Sequence, residues 1–171
     1  MFAVMQGPHR SCCREFTGAT LDRAKLGNAN LTGATLDRAK LTGAKLTGAK
    51  LGNADLTNAD LRYANLTDAN LKGANLFRSD LALATLTNAN LRYATLTRAR
   101  LYDANLTNAD LIGATLLDAT LLDATLTRAR LSGANLTRAN LTRANLTNAD
   151  LSGTRLCNTT MPDGTIRSDD C

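Results

Sequence analysis

The sequence predicts short extended segments joined by regular corners, closing into a coil that stacks on itself. Three observations lead there. Leucine occupies every fifth position from Leu21 to Leu156, twenty-eight times without a miss. Alanine stands two residues before each of these leucines, broken only by Ser79 and Thr154. The positions after leucine are rich in Gly, Asn and Asp.

Neither regular secondary structure can use a period of five. On an α-helix five residues advance about 500°, so successive leucines step by about 140° and spread over the whole circumference. On a flat strand side chains alternate, and an odd period sends successive leucines to opposite faces. A long buried helix is excluded as well, because Thr, Asn, Gly and charged residues fill the other slots. Every Leu can face inward only if each unit bends the chain by the same amount. Ala and Leu, two apart, share one side of an extended segment. Gly33, Asn53, Asn58, Gly73, Gly113, Gly133 and Gly153 suit the corner that follows, since these residue types accept left-handed or turn conformations. Arg38, Arg98 and Arg138 fill the same slot elsewhere, which predicts that a positive φ is not required at every corner.

The unit A-(N/D)-L-x-x, as in "ADLTNADLRYANLTDANL" (Ala54–Leu71), resembles the pentapeptide-repeat family over about Thr17–Asn158. The resemblance implies an all-β fold: a right-handed quadrilateral parallel β-helix, a solenoid of about seven coils of four repeats. It places Leu at the central inward slot and Ala at the second. The tail "LCNTTMPDGT" (Leu156–Thr165) resembles the terminal segment of many members. The expected organisation is an N-terminal cap or disordered arm over 1–16, repeats over 17–158, and a C-terminal cap over 159–171. Phe16, Met161 and Ile166 keep the five-residue register and are expected to extend the core.

Composition narrows the function classes. The 171 residues carry a net charge of +5 and contain one histidine and four cysteines. No apolar run reaches the roughly 20 residues of a membrane span. The start "MFAVMQGPHRSCC" lacks the long apolar region of a secretory leader, so a cytoplasmic product is expected. His9 beside Cys12 and Cys13 is a weak basis for a nucleophile pair or metal cluster, and Cys157 and Cys171 fall at the far end of the chain. Reduced thiols in terminal caps and a Cys157–Cys171 bridge both fit the spacing. The acidic residues fall in outward slots on a convex surface with no expected cleft. The sequence therefore predicts no catalytic residue, no metal site, no cofactor and no enzyme activity.

With four repeats per coil, residues twenty apart become stacked neighbours. The densest basic column is then Arg38, Arg78, Arg98 and Arg138, interrupted by Asn58 and Asp118. The best-known activity of the family is protection of DNA gyrase by DNA mimicry. That activity needs a strongly negative rod, whereas the repeats here hold seventeen Lys and Arg against eleven Asp. The interspersed Asp residues argue equally against nucleic-acid binding. The outward apolar residues carry more information. Tyr63, Ala82, Leu83, Tyr102 and Leu122 gather on one face, with Leu117 and Ile112 at the same level on neighbouring faces. They form a candidate protein-contact patch, for self-association or for a partner. The expected function is a non-enzymatic scaffold or protein-interaction module. The alternative is a regulator or protector of a DNA-handling enzyme such as gyrase, or a weak nucleic-acid binder.

Overall fold

The computed structural model describes residues 15–169 and 171. Residues 1–14, with His9, Cys12 and Cys13, lie outside them. One register runs through the repeats: Glu15 bridges Thr35 in parallel, Thr20 bridges Lys40, and so on to Asn140 and Thr160, always twenty residues apart. Four five-residue units therefore complete one turn, and each turn lies on the next.

The expected all-β, right-handed quadrilateral parallel β-helix is corrected by the secondary structure, and with it the description as a β-helical solenoid. Among the described residues there is no α-helix. The only strands among those residues are β1 (Thr159–Thr160) and β2 (Ile166–Arg167), and they pair antiparallel. The repeats contribute isolated single-residue bridges in place of strands. The reason lies in the unit itself. Two of its five residues form a turn, which Ala closes by donating its N–H to the carbonyl of the preceding Leu, as from Ala24 to Leu21 at 3.0 Å. One residue per unit remains in a bridge, so no strand can lengthen.

The backbone accounting explains how such short pairings suffice. Each Leu N–H from Leu21 to Leu141 donates to the carbonyl nineteen residues ahead, as Leu21 to Lys40 at 2.7 Å. The bridge residue donates back, as Lys40 to Ala19 at 2.8 Å. The second residue after Leu donates to the following turn, as Arg23 to Thr42 at 2.8 Å. The N–H of the first residue after Leu has no backbone acceptor in this pattern. Where Asn or Asp stands two residues earlier, the side chain supplies one: Asp55 accepts from Thr57 at 3.0 Å, Asn65 from Thr67 at 3.0 Å and Asn90 from Arg92 at 3.1 Å. The Asn/Asp of the repeat signature is thus a backbone acceptor.

Every corner from Gly18 to Asn158 has positive φ, Arg38 (56°), Arg98 (60°) and Arg138 (57°) included. This corrects the expectation drawn from those arginines. The corner N–H must point along the stack to meet its carbonyl, and that bond holds even residues disfavoured in the left-handed region.

The core is the filled interior of the stack. The leucines from Leu36 to Leu141 are at most 1% exposed, each contributing about 1.5–3 kcal/mol of burial, with alanines between them. Ser79 occupies an Ala slot, fully buried, and donates its hydroxyl to the Leu76 carbonyl at 2.9 Å. Phe16 and Met161 pack on the ends of this core. Ile166 does not: it is 69% exposed, because β2 turns back along β1. A Cys157–Cys171 disulfide ties the last residue to the final repeat, with Cα atoms 4.8 Å apart.

Candidate functional site

The twenty-residue register decides which outward residues meet. Tyr63 N–H donates to the Ala82 carbonyl, Leu83 to Tyr102 and Asp103 to Leu122, at 3.0–3.1 Å. Two adjoining columns result. One runs Arg62, Ala82, Tyr102, Leu122, and the other Tyr63, Leu83, Asp103, Asp123. Tyr63 is 60% exposed and Leu83 41%, whereas Ala82 is fully covered and acts as a floor. Tyr102 and Leu122 are half-buried. Ile112 and Leu117 fall elsewhere. Tyr93 donates to the Ile112 carbonyl and Arg98 to that of Leu117, so each belongs to the column of another repeat in the turn. The structure therefore brings together five of the seven predicted patch residues.

Charges frame the patch. Arg62 donates Nε and Nη2 to Asp60 at 2.8 and 2.6 Å, which fixes the guanidinium and holds the Asp60 carboxyl below the usual range. The Arg100 guanidinium lies 5.6 Å from the Tyr102 ring centroid and pairs with Asp80 at 3.3 Å. Arg143 binds Asp123 through two bonds of 2.6 Å, lowering the Asp123 pKa.

The predicted basic column is not a bare positive stripe. Asp118 takes Arg138 at 2.6 Å and Arg98 at 3.6 Å, Arg38 lies 3.6 Å from Asp37, and Arg78 sits 5.0 Å from the Phe77 centroid. The hydrogen bond from Arg138 is the main cause of the lowered Asp118 pKa.

Tyr93 lies outside the patch expected from the sequence. It is 56% exposed, with the Arg92 guanidinium 5.5 Å from its centroid, and its ring lies over the backbone of Gly113. It borders an open cavity of about 430 Å³ lined by Thr32, Gly52, Asn53, Asn70, Lys72 and Gly73, where no cleft was expected. Gly52 and Gly73, in neighbouring columns, line it, a pairing present in the sequence once the register is known. No group of His, Cys, Asp and Glu among the described residues is placed to hold a metal. No helix among them is long and apolar enough to cross a membrane.

A pile of five-residue units around a Leu and Ala interior, with variable side chains turned outward, defines a repeat protein whose chemistry lies on its surface. Pentapeptide repeats match residues 15–53, 39–78, 79–118 and 124–161, in eight copies. The chain belongs to the pentapeptide-repeat family. Among solved structures it is 32% identical to HetL, a pentapeptide repeat protein involved in heterocyst differentiation regulation from the cyanobacterium Nostoc sp. strain PCC 7120, over 90% of this chain and 87% of that one, with a TM-score of 0.43. It is 27% identical to the pentapeptide repeat protein Rfr23 of the cyanobacterium Cyanothece 51142, over 82% and 86%, with a TM-score of 0.43. To full-length QnrB1, a plasmid-mediated fluoroquinolone resistance protein, it is 16% identical over 86% and 72%, with a TM-score of 0.38. The comparison with curated proteins finds no match.

Proposed function

We propose that this protein is a non-enzymatic scaffold that works by protein contact, through the patch of Tyr63, Leu83, Tyr102 and Leu122. One observation carries the reading. The register stacks the exposed Tyr63 and Leu83 beside the half-buried Tyr102 and Leu122, so four large apolar or aromatic side chains adjoin on a surface whose other outward slots are mostly polar. A contiguous apolar patch of this kind supports a protein contact. Ile112 and Leu117 are separate contacts on other sides. The test is a quantitative pull-down in which Leu83→Asp and Leu122→Asp are compared with wild type. Unchanged capture of every bound protein sinks the proposal.

A second reading, a regulator or protector of a DNA-handling enzyme such as gyrase, gains from the ion pairs. Arg98 and Arg138 share Asp118, so the strongest basic column is partly neutralised and opposes such a role less than the net charge does. It is tested by adding the protein to a gyrase supercoiling reaction with and without a fluoroquinolone. An unaltered reaction removes it. Our reading places the protein in the cytoplasm. There the Cys157–Cys171 bond makes its redox state informative, since reducing compartments disfavour disulfides. Mass measurement of protein trapped from cells reads it directly.

A further inference from the structure

The open cavity beside Tyr93 lies half a turn from the contact patch, two repeat units further along the chain within each turn. We propose that it binds a nucleoside monophosphate, with the phosphate held at Lys72, Asn53 and Asn70 and the base packed against the Tyr93 ring. Its volume of about 430 Å³ falls in the range of small-molecule sites. The fold does not ask for this space. Gly52 lies outside the left-handed region, and a Cβ there would meet only the Lys72 carbonyl at 3.7 Å and the Thr32 methyl at 4.0 Å, ordinary contact distances. Thr fills the same slot at Thr32, Thr42, Thr47 and Thr57. A glycine that the backbone does not require therefore helps to open the cavity.

The lining selects an anion. Every lysine of the chain falls between Lys25 and Lys72, and among the described residues none enters an ion pair. Further along the stack Arg92, Arg98, Arg100, Arg130, Arg138 and Arg143 are each paired with an Asp. No carboxylate lines the cavity. The first one in its columns, Asp110, is already taken by Arg92 at 3.2 Å and Arg130 at 3.1 Å. The Lys72 ammonium is thus left for a ligand, and Lys50 stands beside Asn70 in the bridge column. Two ammonium groups match the charge of about −2 on a phosphate monoester and fall short of a triphosphate. Among the described residues the Asn53 carboxamide has no hydrogen-bond partner, so its N–H groups can donate to phosphate oxygens. Tyr93, 56% exposed at the rim, supplies the kind of aromatic surface on which bases pack.

Titration of isotope-labelled protein with adenosine monophosphate, adenosine and inorganic phosphate, read by amide chemical shifts, tests this. The monophosphate should move the amides of Gly52, Lys72, Gly73 and Tyr93 with a midpoint at or below low millimolar concentration. Adenosine and phosphate, each making half the contacts, should bind at least about tenfold more weakly. Gly52→Thr fills the cavity at a backbone position open to any residue, so its melting temperature should equal or exceed that of wild type while binding falls at least about tenfold. Lys72→Ala should lose a similar factor through its missing charge-assisted hydrogen bond, about tenfold or more. An absence of shifts at low millimolar monophosphate overturns the proposal. So does a folded Gly52→Thr or Lys72→Ala protein that binds as wild type, and so does inorganic phosphate binding as tightly as the monophosphate.

Discussion

Replacing Asp55 by Ala tests the role assigned to the Asn/Asp of the repeat. In the folded chain Asp55 Oδ1 accepts three hydrogen bonds: the Thr57 N–H at 3.0 Å, the Thr57 hydroxyl at 2.6 Å and the Asn75 amide of the next turn at 3.2 Å. All three are only partly buried, so water can replace the lost acceptor in part. A hydrogen bond to a charged group is worth about 1.5–3 kcal/mol when fully formed. Allowing for access of water, Asp55→Ala should cost about 1–2 kcal/mol. At about 2–4 °C per kcal/mol for a chain of this size, the melting temperature should fall by about 2–8 °C. Asp55→Asn keeps an acceptor oxygen and should cost less than half as much. The local reporter is hydrogen exchange at Thr57, whose amide should lose protection in the alanine variant and largely keep it in the asparagine variant. If Asp55→Ala unfolds at the wild-type denaturant concentration and the Thr57 amide exchanges no faster, the acceptor account is refuted.

Other expectations follow from single contacts. A Cβ on Gly113 would lie 2.7 Å from the Tyr93 ring, whereas one on Gly133 meets nothing within 4 Å, though both corners have positive φ (66° and 65°). Gly113→Ala should therefore destabilise more than Gly133→Ala, which costs only about 1–2 kcal/mol of backbone strain; denaturant melts of both, with Tyr93→Ala added, read the difference. Reducing the Cys157–Cys171 bond opens a loop of sequence separation 14, which should cost about 3 kcal/mol, measured as loss of amide protection around Leu156 and β1. Asp60, Asp118 and Asp123 have folded pKa values lowered, first by hydrogen bonds from Arg62, Arg138 and Arg143. Their contribution is full above the ordinary aspartate value of about 3.9 and is lost as pH falls through the lowered folded values. The denaturation midpoint should hold from neutrality to about pH 5 and then drop, less steeply in Asp118→Asn.

Much of this molecule was set by its spacing. The five-residue leucine period required a chain that bends equally at each unit, and Ala two residues before Leu set both side chains on one side of the extended segment. Both requirements are local, so they could be read without a structure. The same holds for the twenty-residue columns once four units make a turn. Tertiary pairing decided the rest. A corner N–H aimed along the stack holds Arg38, Arg98 and Arg138 in the left-handed region that residue preference alone argued against. Two turn residues in each five keep the repeats to single bridges and leave the only described strands to Thr159–Thr160 and Ile166–Arg167. The side-chain acceptor role of Asn and Asp appears only when the backbone donors are counted. Sequence fixes which residues point outward, because that depends on their own repeat. Stacking fixes which of them touch, because that depends on residues twenty positions away.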